Sequence, residues 1–165
     1  MLINAFEFAK QSLEIHDKIA LLCIPGLEQA LFSAPTKQDF ITFDLVGERN
    51  TSGRLGLRLS LNGKLMLTCQ RCLGLLEYKL VGENWFELVS TEAELPENEA
   101  DDEVDYLVAS DELDVEALVK EEILLIMPLA PKHEDGQCNS PSDEAASRKE
   151  NPFRVLEGFK GKKPE

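Results

Sequence analysis

The chain has 165 residues and a hydrophobic fraction of 43%, which suits one domain that buries roughly 70% of its unfolded surface without disulfides. Acidic residues outnumber basic ones by 31 to 17, giving a formal net charge of −14. This balance excludes a general basic nucleic-acid binder, because phosphate contacts come from clustered Lys and Arg, and it favours a basic protein partner or simply high solubility.

The compartment follows from what the sequence lacks. The first residues have no basic segment followed by an apolar one, as a signal peptide would. The longest apolar run, at residues 123–131, is far shorter than the roughly 20 residues of a spanning helix. We therefore expect a cytoplasmic protein with no membrane contact, in which the cysteines are reduced thiols or metal ligands rather than disulfides.

The first third of the chain has the apolar spacing of two helices. Apolar residues recur at helical intervals over residues 8–22, and Pro25 with Gly26 ends the pattern. A second, short helix is expected over residues 27–32. This interpretation places His16 on a helix surface and makes Cys23 a small buried hydrophobic residue.

From residue 40 the period changes to two, which predicts an antiparallel sheet. Residues 40–45 form a first expected strand. Leucine then occupies odd positions from Leu55 to Leu67, interrupted by Asn62-Gly63, a favoured two-residue turn. The pattern predicts a hairpin with one buried face, then a turn at residues 69–74 and a further strand over residues 77–89.

Almost all of the net charge lies in residues 92–122, which hold 14 acidic residues and one lysine. Within this segment we expect a loop over residues 96–103 and a short strand over residues 104–108. Asp114 is a favoured N-cap type, so a helix is predicted from Val115 to Met127, ended by Pro128.

Two interpretations of this acidic segment stay open at this point. It is either a solvated face that keeps the protein soluble, or a surface that holds a basic partner by charge complementarity. The candidate partner-binding residues are Glu97, Glu99, Asp101, Asp102, Glu103, Asp105, Asp111, Glu112, Asp114, Glu116 and Glu121.

The predicted organisation is one α+β domain over residues 1–131, with an antiparallel sheet at about 40–89 and flanking helices that include 115–127. Residues 132–165 are expected to form a flexible polar loop and a short C-terminal docking segment. That segment begins at Asn151-Pro152, a favoured helix start, and the tail from Arg148 onward carries six basic and three acidic residues.

Cysteine and histidine spacing suggests a metal site. Cys69 and Cys72 form a C-x2-C pair at the end of a predicted strand, and His133 with Cys138 can complete a Cys3His zinc site that closes the loop onto the sheet. The alternative is a pair of half-buried thiols beside an exposed His133, since about sixty residues separate the two pairs, more than in compact zinc modules.

Catalytic motifs are absent from the sequence. A redox pair is disfavoured because thioredoxin-like motifs place C-x2-C at a helix N-terminus, whereas a strand is expected after Cys72. No G-x-S-x-G, H-E-x-x-H, phosphate loop or dinucleotide fingerprint occurs. We assign no catalytic residue.

Three segments carry a resemblance to a known family: residues 69–73, residues 121–133 followed by Cys138, and residues 151–156. Together they resemble the YceD family of large-ribosomal-RNA-subunit accumulation proteins, over about residues 69–159. The resemblance implies a bacterial or organellar protein needed for normal levels of large-subunit ribosomal RNA, and not an enzyme. Some relatives carry additional cysteines after the helix, where this sequence offers His133 and Cys138.

The resemblance also suggests a partner, because family genes commonly neighbour that of a small basic zinc-ribbon protein of the large subunit. We therefore expect a non-enzymatic ribosome biogenesis factor that handles a basic large-subunit ribosomal protein, contacts pre-ribosomal RNA directly or indirectly, and holds at most one structural zinc ion. The alternatives are a zinc- or thiol-dependent enzyme acting on RNA or redox partners, and an acidic adaptor unrelated to ribosomes.

Overall fold

A computed structural model describes residues 1–95 and 104–138 of the chain. Its helices and strands, in chain order, are β1 (Leu2–Ile3), α1 (Ala5–Lys10), β2 (Glu14–Ala20), β3 (Phe40–Arg49), β4 (Leu55–Thr68), β5 (Leu75–Val89), β6 (Asp105–Val108), β7 (Leu113–Asp114) and α2 (Val115–Ile126). Short 3-10 turns lie at Leu21–Cys23, Leu27–Gln29 and Glu92–Glu94.

Five strands form one sheet in the order β2-β3-β4-β5-β6. All neighbouring pairs are antiparallel except the last, in which β6 runs parallel to the C-terminal end of β5. Strands β1 and β7 form a separate two-stranded ladder. The predicted α+β class is confirmed. The sheet is mixed rather than purely antiparallel, and it extends beyond the expected residues 40–89, with β2 at one edge and β6 at the other.

The core lies between one face of the sheet and the two helices. Strand β4 contributes a row of leucines at odd positions with no more than 2% of their surface exposed: Leu57, Leu59, Leu61, Leu65 and Leu67. Helix α1 packs against β3 so closely that a Cβ atom on Gly47 would lie 2.6 Å from the Phe8 carbonyl oxygen. Helix α2 adds Val119 and Ile123 to the same cluster.

The predicted hairpin turn at Asn62-Gly63 is wrong, because both residues lie inside β4. A two-residue turn there would pair Leu61 with Lys64, which would turn Lys64 to the buried face and Leu65 away from it. The unbroken strand keeps every leucine on one side. Gly63 fits because a Cβ atom at this position would lie 2.8 Å from Cγ1 of Ile41 on the neighbouring strand.

The predicted helix over residues 8–22 is wrong beyond Lys10. Ser12, with φ of 51°, turns the chain, and residues 14–20 form β2, whose backbone groups pair with β3. His16 is exposed on a strand, with Nδ1 2.5 Å from a carboxylate oxygen of Asp44. The helix expected at residues 27–32 is a single 3-10 turn, and Cys23 is exposed rather than buried.

The later elements agree more closely with the sequence. Strands β5 and β6 and helix α2 lie where the pattern predicts them, within two residues at each end. The Asp114 side chain accepts a hydrogen bond of 3.0 Å from the Glu116 N–H and caps α2. Residues 96–103 and 139–165, where a loop and a docking segment are predicted, lie outside the described residues. Across 1–95 and 104–138, no helix has the length and apolar character needed to span a bilayer.

Candidate metal centre

The first half of the centre is the turn between β4 and β5. The Gly74 carbonyl accepts a hydrogen bond from the Cys69 N–H at 2.9 Å, and the Cys69 carbonyl accepts one from the Leu73 N–H at 2.9 Å. Leu73 adopts a left-handed conformation, with φ of 58°, to close the turn. This tight connection directs the Cys69 and Cys72 thiols towards the same space.

The second half is the segment after α2, residues 131–138, which we call the metal loop. The Pro131 carbonyl accepts a hydrogen bond of 2.8 Å from the Gln70 N–H, which fixes the start of the loop beside the turn. His133 Nε2 lies 2.9 Å from the Leu75 carbonyl oxygen. Because a carbonyl can only accept, Nε2 carries the proton, and Nδ1 faces the thiols.

The four predicted ligands converge: one donor atom each from Cys69, Cys72, His133 and Cys138 lies within 4.8 Å of every other. The Cys69 and Cys138 sulfurs are 3.8 Å apart. His133 Nδ1 is 3.5 Å from the Cys72 sulfur and 3.6 Å from the Cys138 sulfur. Tetrahedral zinc, with Zn–S of about 2.3 Å and Zn–N of about 2.0 Å, has edges of about 3.8 Å between sulfurs and about 3.5 Å between sulfur and nitrogen. The donor set fits such an ion.

Electrostatics around the cluster favours thiolates at two of the cysteines. Burial opposes ionisation of Cys69, but the N–H groups of Cys72, His133 and Arg71 outweigh it and lower the pKa of this thiol to about 5. The Arg71 guanidinium lowers the pKa of Cys138. Metal ions bind the thiolate rather than the thiol, so these two cysteines are favoured as ligands near neutral pH.

The remaining two members respond to this negative charge. Hydrogen bonds to Cys138 and Cys69 raise the pKa of His133. At Cys72 the Gly74 N–H acts to lower the pKa, but burial and the neighbouring thiols together raise it. The two thiolates therefore oppose ionisation of the third thiol, and a cation at the centre of the cluster would relieve this repulsion.

Arg71 is a member of the site that the sequence analysis did not single out. It lies between the two cysteines of the C-x2-C turn, and its Nε atom donates to the Cys138 sulfur at 3.0 Å. Its other nitrogens donate to Asp135 Oδ1 and to the carbonyl oxygens of His133 and Glu134. The sequence signal that could have identified Arg71 is its place between the two cysteines of the C-x2-C pair, because a nearby guanidinium stabilises thiolates.

A groove of about 510 Å³ adjoins the centre. One wall is the start of β5, with Leu76 and Tyr78, and the other includes Pro128 and His133. Since His133 is both a candidate metal ligand and part of the groove wall, the shape of the groove depends on how the metal loop is held.

The candidate acidic residues fall into three groups. Glu97, Glu99, Asp101, Asp102 and Glu103 lie outside the described residues. Four exposed carboxylates make local contacts. Asp105 accepts a hydrogen bond from Asn84, and Asp111 accepts one from Asn4. Asp114 caps α2, and Glu116 pairs with the Met1 amino group and Lys120.

The third group is Glu112 and Glu121, which are exposed. Their carboxylates have no hydrogen-bond or ion-pair partner within residues 1–95 and 104–138. Among the candidate acidic residues that the structure describes, these two carboxylates are the most available to a partner molecule.

Fold and site together define an α+β protein with a mixed sheet, an acidic helix and a Cys3His cluster able to hold a metal ion. The chain belongs to the YceD family, described as large ribosomal RNA subunit accumulation protein YceD, which it matches over residues 57–160. The match confirms the resemblance and includes the turn, α2 and the metal loop. Neither a curated protein nor a solved structure showed a significant match to the chain.

Proposed function

We propose that this protein is a non-enzymatic, cytoplasmic factor in biogenesis of the large ribosomal subunit. It supports accumulation of large-subunit ribosomal RNA by handling a basic large-subunit ribosomal protein. The observation that carries the ribosomal role is the family match over residues 57–160.

The charge of the acidic segment supports a basic partner. Between residues 104 and 122 the chain carries seven carboxylates against the single cation Lys120. Six of them are exposed, on β6, β7 and α2 and in the connection between β6 and β7, and the seventh, Glu122, is buried. Such a field attracts a Lys- and Arg-rich protein and repels the phosphates of RNA. A basic ribosomal protein held there would be kept from non-specific RNA until it reaches the assembling subunit.

The second part of the proposal is one structural zinc ion held by Cys69, Cys72, His133 and Cys138. Four protein ligands fill a tetrahedral shell and leave no open position for water or substrate, as in structural rather than catalytic zinc sites. The ion would join the β4–β5 turn to the metal loop, and so fix the wall of the neighbouring groove.

Affinity capture from the protein's own lysate, with and without ribonuclease, tests the partner. A basic large-subunit protein retained after ribonuclease is the expected result. Large-subunit precursor RNA that is lost with ribonuclease, without such a protein, would move the contact to RNA. Capture of neither would refute the proposed function.

Charge variants test the surface. Asp101→Asn, Asp102→Asn, Glu112→Gln and Glu121→Gln combined should weaken capture of the basic protein strongly, because they remove four of the 14 acidic charges of the segment and spare the cap at Asp114. The matched control removes the same number of charges elsewhere, at Glu14, Asp17, Glu28 and Asp44, all exposed. Equal loss of capture in both variants would mean that net charge, not this surface, binds the partner.

A further inference from the structure

We propose that Arg71 is a positioning residue for the metal centre: its guanidinium holds the metal loop in the ligating arrangement before the ion binds and balances the charge of the filled site. This inference rests on the zinc site proposed above. It assigns a role to a side chain that touches no metal ion itself.

Three guanidinium nitrogens of Arg71 act on one short stretch of chain. Nε donates to the Cys138 sulfur at 3.0 Å and Nη1 to Asp135 Oδ1 at 2.9 Å. Nη2 donates to the carbonyl oxygens of His133 at 3.2 Å and Glu134 at 3.1 Å. A planar guanidinium with fixed donor directions suits this task, whereas a lysine ammonium acts as a point charge.

The loop has few other attachments. In the described part of the chain, residues 134–138 are joined to the remainder by hydrogen bonds only through Arg71 and the cluster of sulfur and imidazole atoms. The Gln137 contacts stay within the loop, with Glu134. The start of the loop is fixed separately, at Pro131 and His133. Without Arg71, therefore, Cys138 would be held at the cluster only by its contacts with Cys69 and His133 or, in the filled site, by its own metal bond.

Two physical effects follow. Ordering a loop costs conformational entropy at every residue, and contacts present before the ion arrives remove part of that cost from metal binding. A divalent ion with three thiolates and a neutral imidazole carries a net charge of −1, and the adjacent guanidinium, which also pairs with the exposed Asp135 carboxylate, partly offsets it. Outer contacts of this kind typically change metal affinity by about 10–100-fold.

The test measures Zn²⁺ affinity by competition with a chromophoric chelator, and follows Co²⁺ through its thiolate charge-transfer and ligand-field bands. Arg71→Gln should weaken Zn²⁺ binding by about 10–100-fold and shift the Co²⁺ charge-transfer band, because the Cys138 sulfur loses its donor. Arg71→Lys should recover part of the affinity through its charge but not the band position.

Arg49→Gln is the matched control, since Arg49 is an exposed arginine that donates to Gly53 in the β3–β4 turn, away from the centre. Asp135→Asn removes one partner of the guanidinium without touching a ligand, and should weaken Zn²⁺ binding less than Arg71→Gln does. It keeps the inference testable if Arg71→Gln does not fold.

The outcomes separate the two proposals. A wild-type protein that binds neither Zn²⁺ nor Co²⁺ would refute the metal site itself. A wild-type protein that binds both, with unchanged affinity and unchanged Co²⁺ spectrum in Arg71→Gln and Asp135→Asn, would overturn the role of Arg71 alone.

Discussion

The sheet core and the metal loop are held together by different means. The core is a cluster of buried apolar side chains between the sheet and two helices, and it includes the row of leucines on β4. The metal loop buries few apolar side chains and is held by a cluster of three thiols and one imidazole and by one guanidinium. We infer that the core can fold without a metal ion, whereas the loop depends on specific polar atoms.

The two regions also differ in how well they tolerate substitutions. A core accepts substitutions that preserve apolar character and volume at moderate cost. Replacing any one donor in a four-ligand site removes a bond that no neighbour can supply. Removal of metal should therefore loosen one edge of the molecule rather than unfold it.

The largest expected effect is in the core. Leu59→Ala removes a fully buried side chain at the centre of β4 and should lower the free energy of unfolding by about 2–5 kcal/mol, since a cavity adds to the lost apolar burial. Denaturant unfolding measures it. The variant should still bind one Zn²⁺ per chain; loss of metal binding in the folded variant would show that the two regions are not independent.

A smaller effect is expected when the metal loop is released. Chelation should lower the free energy of unfolding by about 2.7 kcal/mol when compared with free Zn²⁺ at 100 times its dissociation constant. Cys69→Ser with Cys72→Ser should remove the Zn²⁺ dependence, whereas Cys23→Ser, at an exposed thiol, should preserve it.

Amide exchange locates that effect. Protection should fall in the β4–β5 turn and residues 131–138 and persist along β3 and β4. A double variant with unchanged stability that nevertheless loses function in cells would favour the zinc- or thiol-dependent enzyme instead.

The smallest expected effect concerns a buried carboxyl group on α2. Glu122 is 93% buried, receives a hydrogen bond from Asn84, and its pKa is raised by burial and further by Asp105. A raised carboxyl pKa means that the folded state favours the protonated form, so stability is greatest below the unfolded pKa and falls as pH rises through the folded one.

Glu122→Gln should therefore increase stability at pH 7 by about 0.5–1 kcal/mol and lose that advantage near pH 4, where the wild-type side chain is also neutral. Thermal unfolding across this range measures it. Glu121→Gln, the exposed neighbour on the same helix, is the matched control for the loss of one carboxylate. An advantage that persists at pH 4 would rule out ionisation of Glu122 as the cause.

The sequence predicted best where one periodicity dominated. The odd-numbered leucines of β4 and the apolar stripe of α2 placed the core correctly, and Asp114 marked the helix start. The turn at Asn62-Gly63 failed because a local propensity was preferred to the phase of the leucines, which runs unbroken through Gly63. Strand β2 was missed because Ile15 and Ile19 satisfy both helical and strand spacing, and only pairing with β3 decides between them.

The candidate site was predictable in its chemistry but not in its assembly. Spacing suggested Cys69, Cys72, His133 and Cys138, yet whether about sixty intervening residues return to the same place depends on the sheet and on the path after α2. Arg71 was not singled out because its partners lie more than sixty residues away. Parallel pairing of β6 was likewise invisible, since alternation does not encode strand direction.

Because β1 pairs with β7, this ladder can form only after most of the chain has been synthesised. The Met1 amino group and the Asp114 carboxylate that it contacts are 113 residues apart, so at about 5–20 residues per second the first strand waits on the order of ten seconds for its partner. Cys138 follows only after a further 24 residues. Translation thus delivers the thiols of the turn well before the last ligand, and the metal centre is the last of the described contacts that the ribosome allows to form.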